Sequence, residues 1–268
     1  MAESENKVLR TCSFCGKSEE EVAILFPSQN GRCYICDGCI NICAEFIDEN
    51  FTDIESNEAS ELTFETLPRP VDIKAMLDEY GLEISGTHSP FTDLRPSNIM
   101  ETIAYHKAIG NTDYIVPGAD LSTLDKVVDF CNVMNYAQPI LAAEGIRLGY
   151  HNHSHEFVIQ PYGSTIHAEI ERRTNVHFEI DTFWTFNAEL DSISVLERLA
   201  HRIHVIHLKD GRRGGYGIPL GQGDAPVADV VRYAEAHGLA MVVESETLNP
   251  NGMAEATACI EYLKSLEA

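Results

Sequence analysis

The sequence predicts an α/β fold of parallel strands joined by helical crossovers, preceded by a small cysteine-rich unit. From Gly81 onward, short β-branched-rich runs (DYIVPG, IRLGYHNH, VHFEIDTFW, IHVIHLKD, LAMVVESE) end in polar residues. Between them lie segments of helical pattern: NIMETIAYHKAIG, LSTLDKVVDFCNVMNYAQPILAAEG, DSISVLERLAHR, VADVVRYAEAHG and GMAEATACIEYLKSL. Such alternation is the signature of strand–helix–strand units, whose strands pair in parallel. A separate pattern marks the N-terminal unit, because six of the eight cysteines (Cys12, Cys15, Cys33, Cys36, Cys39, Cys43) fall within 32 residues.

Composition narrows the function classes. With 268 residues, 44% hydrophobic and 23% charged, the chain can bury one large domain or two unequal ones. Its 42 acidic and 19 basic residues give a net charge of −23, which repels a phosphate backbone, so no nucleic-acid partner is expected. There is no run of about 18 apolar residues, and the opening MAESENKVLR lacks the apolar segment of a signal peptide. The expectation is a cytoplasmic protein that makes no membrane contact. In a reducing compartment, clustered cysteines indicate metal rather than disulfides.

The first element is the pair of C-x-x-C turns, Cys12 with Cys15 and Cys36 with Cys39, separated by twenty residues. Each turn aims two thiolates at one ion, and four thiolates at about 2.3 Å close a tetrahedral shell with no position open for chemistry. Zn²⁺ here is therefore structural, and Cys33 and Cys43 are spare thiols. With few apolar residues around the site, metal binding supplies much of the folding free energy. TCSFCGKSEEEV, YICDGCINIC and LPRPVDIKAMLDEY together resemble the N-terminal portion of ClpX, the ATPase subunit of the Clp protease, over about residues 10–80. That resemblance implies dimerisation through the zinc domain and docking of Clp-system protein partners, by way of Val22, Ile24, Leu25, Phe26, Ile35, Ile40 and Ile42. The same apolar residues are equally readable as a miniature core around the zinc.

The next segment, EFIDENFTDIESNEASELTFE, reads as an acidic linker. Residues 1–60 hold 4 basic and 12 acidic side chains, a formal −8. The helix PVDIKAMLDEY follows, opened by Pro70. These observations divide the chain into a zinc-binding domain (1–50), a linker (51–69) and the α/β portion (70–268). No phosphate loop appears: the Gly-Lys-Ser at Gly16 has Thr11 where a G-x-x-x-x-G-K-[ST] motif needs glycine. An ATP-driven unfoldase is thereby excluded.

In a parallel α/β sheet, chemistry gathers at the carboxyl ends of the strands. His88 ends the first predicted strand, His151 and His153 the third, Asp181 the fourth, His207 the fifth and Glu244 the sixth. Carboxylates and imidazoles with solvent access suit a catalytic divalent ion such as Mn²⁺, Mg²⁺, Co²⁺ or Zn²⁺.

GLEISGTHSPF, GIRLGYHNHSHEF, FEIDTFWT, IHVIHLKD, PLGQGD and MVVESE resemble the sugar phosphate isomerase/epimerase family of xylose isomerase-like (β/α)₈ TIM barrels. The resemblance runs from about Gly81 to Leu266. It implies four ligands to one divalent ion, of which Asp181, His207 and Glu244 carry over. The fourth is commonly a glutamate where this chain has His151, which leaves His151 and Glu156 as rivals. By this reading the barrel is incomplete, with about six of eight strands in 188 residues where about 250 is typical. The missing strands are the first two, and the seam lies between Tyr80 and Gly81. Glu61–Glu65 is the one candidate for a replacement strand.

The implied substrate is a small sugar or sugar phosphate whose α-hydroxy carbonyl loses a proton to give an enediolate. Glu156 and His153 are the candidates for proton transfer, and Glu244 stands beside them as a carboxylate ligand. Lys209 offsets negative charge on the intermediate or pairs with Asp210 or another neighbouring carboxylate. Trp184, with Phe183, forms an apolar wall against the sugar face or belongs to the barrel core, and His88 faces the substrate from the first strand. The loop DGRRGGYGIPLGQGD has the glycines and arginines to hold an anion. The competing expectation is a Clp-type adaptor or dimerisation module whose barrel remnant does no chemistry.

Overall fold

The computed structural model describes residues 10–28, 33–42 and 67–266. The chain divides into two units, Met1–Leu67 and Pro68–Ala268. In the first, β1 (Leu25–Pro27) and β2 (Tyr34–Cys36) pair antiparallel with Leu25 opposite Cys36. Gly16 takes φ +78°, a left-handed turn that lets its N–H reach the Cys12 carbonyl at 2.9 Å and closes the first cysteine knuckle.

The second unit opens with α1 (Pro70–Glu79), started by proline at its first turn and by the Arg69–Asp72 pair. Strands and helices then alternate: β3 (Thr87–His88), α2 (Ile99–Ile109), β4 (Asp113–Val116), α3 (Leu124–Ala143), β5 (Arg147–His151) and α4 (Ile166–Arg173). They continue as β6 (His177–Asp181), α5 (Thr182–Asn187), α6 (Ser192–Leu199), β7 (Ile203–Gly211), β8 (Gly217–Ile218), α7 (Val227–His237), β9 (Ala240–Glu244) and α8 (Gly252–Leu266). Six strands, in the order β3-β4-β5-β6-β7-β9, run parallel in a curled half barrel, and β8 folds back antiparallel on the end of β7. The expected incomplete barrel is therefore present, with six parallel strands among the described residues. β3 is shorter than LEISGTH suggests, since only Thr87 and His88 find a ladder, against Tyr114 and Ile115. The candidate replacement strand Glu61–Glu65 lies outside the described residues.

Side chains alternate across each strand. Tyr114, Val116, Leu148, Tyr150, Phe178, Ile180, Ile206 and Leu208 turn outward and are all at most 1% exposed against the helices. The alternate residues line the inside of the half barrel, and there the polar residues collect. Among the described residues the sheet has no further strand beyond β3 or β9, and keeping one of those edges two residues long limits the backbone left unpaired there.

At the amino ends of the strands a second polar group holds the sheet together. Between Phe178 and Glu179 the β6–β7 register slips, which makes His204 the extra residue. His204 Nε2 hydrogen-bonds Asp113 Oδ1, and Arg147 Nε reaches the same oxygen at 2.8 Å. Burial works to raise the Asp113 carboxyl, but His204 and Arg147 more than offset it and hold the group well below the usual carboxylate range. A carboxylate with a depressed folded-state pKa adds stability above its unfolded value of about 3.9 and loses it as pH falls further. Asp113→Asn is expected to cost about 2 kcal/mol at pH 7, discounted because Arg147 is half exposed, with the difference from the parent shrinking below about pH 4. Urea unfolding at pH 7 and pH 3 measures both numbers.

Candidate functional site

In the N-terminal unit the four expected thiols meet. Cys12 and Cys36 are each 2% exposed, the Cys12–Cys39 sulfurs lie 3.8 Å apart and the Cys15–Cys36 sulfurs 3.6 Å. Four ligands on bonds of about 2.3 Å around one tetrahedral ion stand about 3.8 Å apart. Amide N–H groups of Cys36 and Cys39 point at the Cys12 and Cys36 sulfurs. Burial opposes the Cys12 thiolate, but amides of Cys15, Phe14 and Cys36 bring it down to about 6, while desolvation and the neighbouring sulfurs push Cys39 up to about 12. Four sulfurs this close do not all ionise without a cation among them. The set fits a structural zinc. Cys33 is exposed and apart from the group; Cys43 lies outside the described residues. Of the apolar residues expected either to pack or to dock, Ile24, Phe26, Ile40 and Ile42 are exposed.

In the half barrel, Asp181 ends β6 and Glu244 ends β9, whereas His207, expected to close its strand, stands midway along β7 because the ladder with β9 runs on past it; the three nevertheless converge. His207 Nδ1 lies 3.0 Å from Glu244 Oε2 and 4.0 Å from Asp181 Oδ2. Asp181 is wholly buried; its Oδ1 caps α5 by accepting from Trp184 N at 2.9 Å, and its Oδ2 has no hydrogen-bond partner. Asn152 fixes the strand end on both sides, accepting from Asp181 N at 3.1 Å and donating to Asp181 O at 3.3 Å. Burial pushes the Asp181 carboxyl up to about 7. Burial would lower His207, yet hydrogen bonds with Glu179 and Glu244 raise it to about 9, and the same bond with His207 takes Glu244 down to about 2. An orphaned buried carboxylate oxygen beside an imidazole and a second carboxylate is a donor set that fits a divalent cation.

His153 and Glu156 form a neighbouring group on the loop after β5. Glu156, 1% exposed, accepts from Tyr150 Oη at 2.8 Å and from the His153 amide at 2.9 Å, and lies 3.7 Å from His153 Nδ1. Burial works against its charge, but His153, His155 and Tyr150 keep its pKa lowered, and the hydrogen bond to Glu156 raises that of His153. Glu156 therefore belongs with His153 and His155 rather than with Asp181, His207 and Glu244. Lys209 is 1% exposed and pairs with Glu246 at 3.0 Å and Glu244 at 3.4 Å, not with Asp210, and lies 4.8 Å over the Trp184 ring. Gly217 makes this possible, since a Cβ there would collide with the Lys209 side chain. Trp184 is half-buried and 5.8 Å from the His153 ring, whereas Phe183 is wholly buried core.

The glycine-rich loop does something other than expected. Asp210 accepts from the amides of Gly211, Gly221, Gly223 and Ala225, so the N–H groups that an anion would use are already engaged. His88 and His151 lie deeper than Asp181, around a residue the sequence reading missed: Glu179, two positions before Asp181 on the same face of β6. Glu246 and Tyr150 were missed as well. Glu246 falls beyond the end of β9, and Tyr150 points out of the barrel while its hydroxyl reaches the loop.

A parallel α/β half barrel with metal-ligand types at its strand ends defines the class. The chain belongs to the xylose isomerase-like TIM barrel family, whose model matches residues 45–266. Residues 10–49 match the ClpX C4-type zinc finger. The ClpX ATP-binding subunit of the Clp protease of Bacteroides fragilis is 46% identical over 81 residues, 30% of this chain and 19% of that protein; the chain thus spans about a fifth of the length of the curated relatives it matches. Two sugar phosphate isomerase/epimerase structures from Parabacteroides distasonis superpose with TM-scores of 0.62 and 0.61. The first is 24% identical, covering 73% of this chain and 75% of its own; the second is 28% identical, covering 72% and 79%. Among the described residues, no helix is long and apolar enough to cross a membrane.

Proposed function

We propose that the half barrel is a metal-dependent isomerase or epimerase site for a small sugar or sugar phosphate, carried with a zinc-stabilised protein-interaction unit. The observation that supports it most is the buried, unpartnered Asp181 Oδ2 facing His207 and Glu244. Asp181, His207 and Glu244 would hold the ion and leave positions open, as a catalytic site requires. When bound, such an ion polarises the carbonyl of an α-hydroxy ketone and stabilises the negative charge that develops on its oxygens. His153 takes the proton from the carbon beside the carbonyl and returns it. Glu156 is too buried to touch substrate and acts through His153, fixing its ring and raising its basicity. Trp184 offers an apolar face to the sugar ring, and Lys209 brings a cation close to the developing charge.

Solvent exchange tests this directly. A ketose or keto-inositol incubated with the Mn²⁺-loaded protein in D₂O is expected to gain deuterium at the carbon next to the carbonyl, read by proton NMR. Exchange falls about 10²-fold in His153→Ala, the typical worth of a positioned acid–base group. Equal exchange with parent and variant contradicts the assignment.

The exposed Ile24, Phe26 and Ile42 support a role for the zinc unit in dimerisation or docking of Clp-system partners. They leave open a second reading, in which the barrel does no chemistry. Metal stoichiometry separates the two: one tightly held zinc plus one exchangeable ion per chain for the enzyme, the zinc alone for an interaction module.

A further inference from the structure

Below Asp181, where β3, β5, β6 and β7 approach the barrel axis, three imidazoles converge on one carboxylate oxygen. Glu179 Oε2 lies 2.6 Å from His88 Nε2, 3.2 Å from His151 Nδ1 and 3.2 Å from His207 Nε2. One carboxylate oxygen has two lone pairs, so three N–H donors cannot all be well satisfied there. His151 shows the deficit: it is 3% exposed, and its Nδ1 has no hydrogen-bond partner despite pointing into the group. The three rings pack closely, with centroids 4.6 to 5.0 Å apart. The four ligand atoms all lie within 4.8 Å of one another, while a tetrahedral shell with bonds of about 2.0–2.1 Å places its atoms about 3.3 Å apart.

We infer that His88, His151, Glu179 and His207 form a second cation site, nitrogen-rich and selective for Zn²⁺ or Co²⁺, that excludes the ion held by Asp181, His207 and Glu244. Selectivity follows from the donors, since imidazole favours the later transition metals while the carboxylate-rich strand-end set suits Mn²⁺ or Mg²⁺. Exclusion follows from His207. Its Nε2 faces Glu179 and its Nδ1 faces Glu244 and Asp181, and a neutral imidazole has a single lone pair to give. An ion in the deep site therefore holds the ring in the tautomer that presents N–H to the strand-end group, which loses its only nitrogen ligand. The deep site acts as an inhibitory position, sensitive to the availability of zinc-like metals.

Cobalt(II) is the probe, used on the full chain with its cysteine site already filled with zinc. Co²⁺ is expected to bind at one equivalent and give the strong visible d–d absorption of tetrahedral coordination, without the thiolate charge-transfer band that would report displacement from the cysteines. Bound Co²⁺ raises the apparent Kd for Mn²⁺. His88→Ala, a change at a part-exposed position on the sheet edge, and Glu179→Gln each weaken the Co²⁺ site at least about tenfold, the minimum cost of disturbing a ligand set. Asp181→Asn leaves the band intact. If Glu179→Gln unfolds, His88→Ala decides alone. Unchanged Co²⁺ affinity in His88→Ala, loss of the band in Asp181→Asn, or simultaneous binding of Co²⁺ and Mn²⁺ overturns the inference. Failure of Mn²⁺ to bind even in the absence of Co²⁺ would instead count against the strand-end site.

Discussion

Cys36→Ser is expected to release the structural zinc and unfold the N-terminal unit. Cys36 is 2% exposed, its sulfur accepts from the Cys39 amide, and it stands 3.6 Å from the Cys15 sulfur, so a hydroxyl there leaves an incomplete shell. Among the described residues, little else holds the unit. β1 and β2 are three residues each, and four of its apolar side chains, Ile24, Phe26, Ile40 and Ile42, face solvent. Structural zinc in domains of this size supplies about 10–16 kcal/mol of apparent binding free energy, which is also their folding free energy. The expected result is substoichiometric zinc by elemental analysis and loss of amide protection over residues 12–18 and 33–42, with β4 to β7 protected as before. Full zinc retention with intact protection in that segment would refute the assignment.

The strand-end group was legible because parallel strands carry apolar runs that stop where the barrel ends, so a polar residue closing each run stands out. Asp181 and Glu244 were found this way, whereas His207 lies inside β7, whose ladder continues beyond it. Glu179 was not, because it sits inside the run HFEID and reads as a lone interruption. Its signal is the period of two it shares with Asp181, which places both on the inner face. α4 was missed because half of IHAEIERR is charged; its Ile166 and Ile170 are nonetheless buried, one turn apart. α5 reads as an extension of β6, since TFWT is aromatic and β-branched. What turns it into a helix is the side chain of Asp181 capping the Trp184 amide, a contact no propensity records. The anion loop failed for a related reason. Its glycines serve close packing, at Gly211 against Phe183 and at Gly223 against Asp210, and the Asp210 carboxylate takes the place of an outside anion.

Removing the Asp181 carboxylate is expected to abolish binding of the exchangeable ion. Asp181→Ala deletes a ligand and also the cap of α5, worth about 1 kcal/mol, whereas Asp181→Asn retains an oxygen for the Trp184 amide and removes only the charge. Both variants should lower Mn²⁺ affinity by more than about a hundredfold, beyond the cost of losing a supporting group. The Asn variant carries a further readout. A buried carboxyl raised to about 7 stabilises the folded state at low pH, and that contribution is lost as pH rises through the folded value. Asp181→Asn should accordingly make the metal-free protein more stable than the parent above about pH 7, while making it unable to gain stability from Mn²⁺.

Calorimetric Mn²⁺ titration of the zinc-loaded chain, beside its Asp181→Ala variant, tests the site most directly. One saturable Mn²⁺ per chain in the parent and none in the variant is the predicted result. Indistinguishable isotherms would show that Asp181, His207 and Glu244 are a polar barrel mouth and not a metal centre.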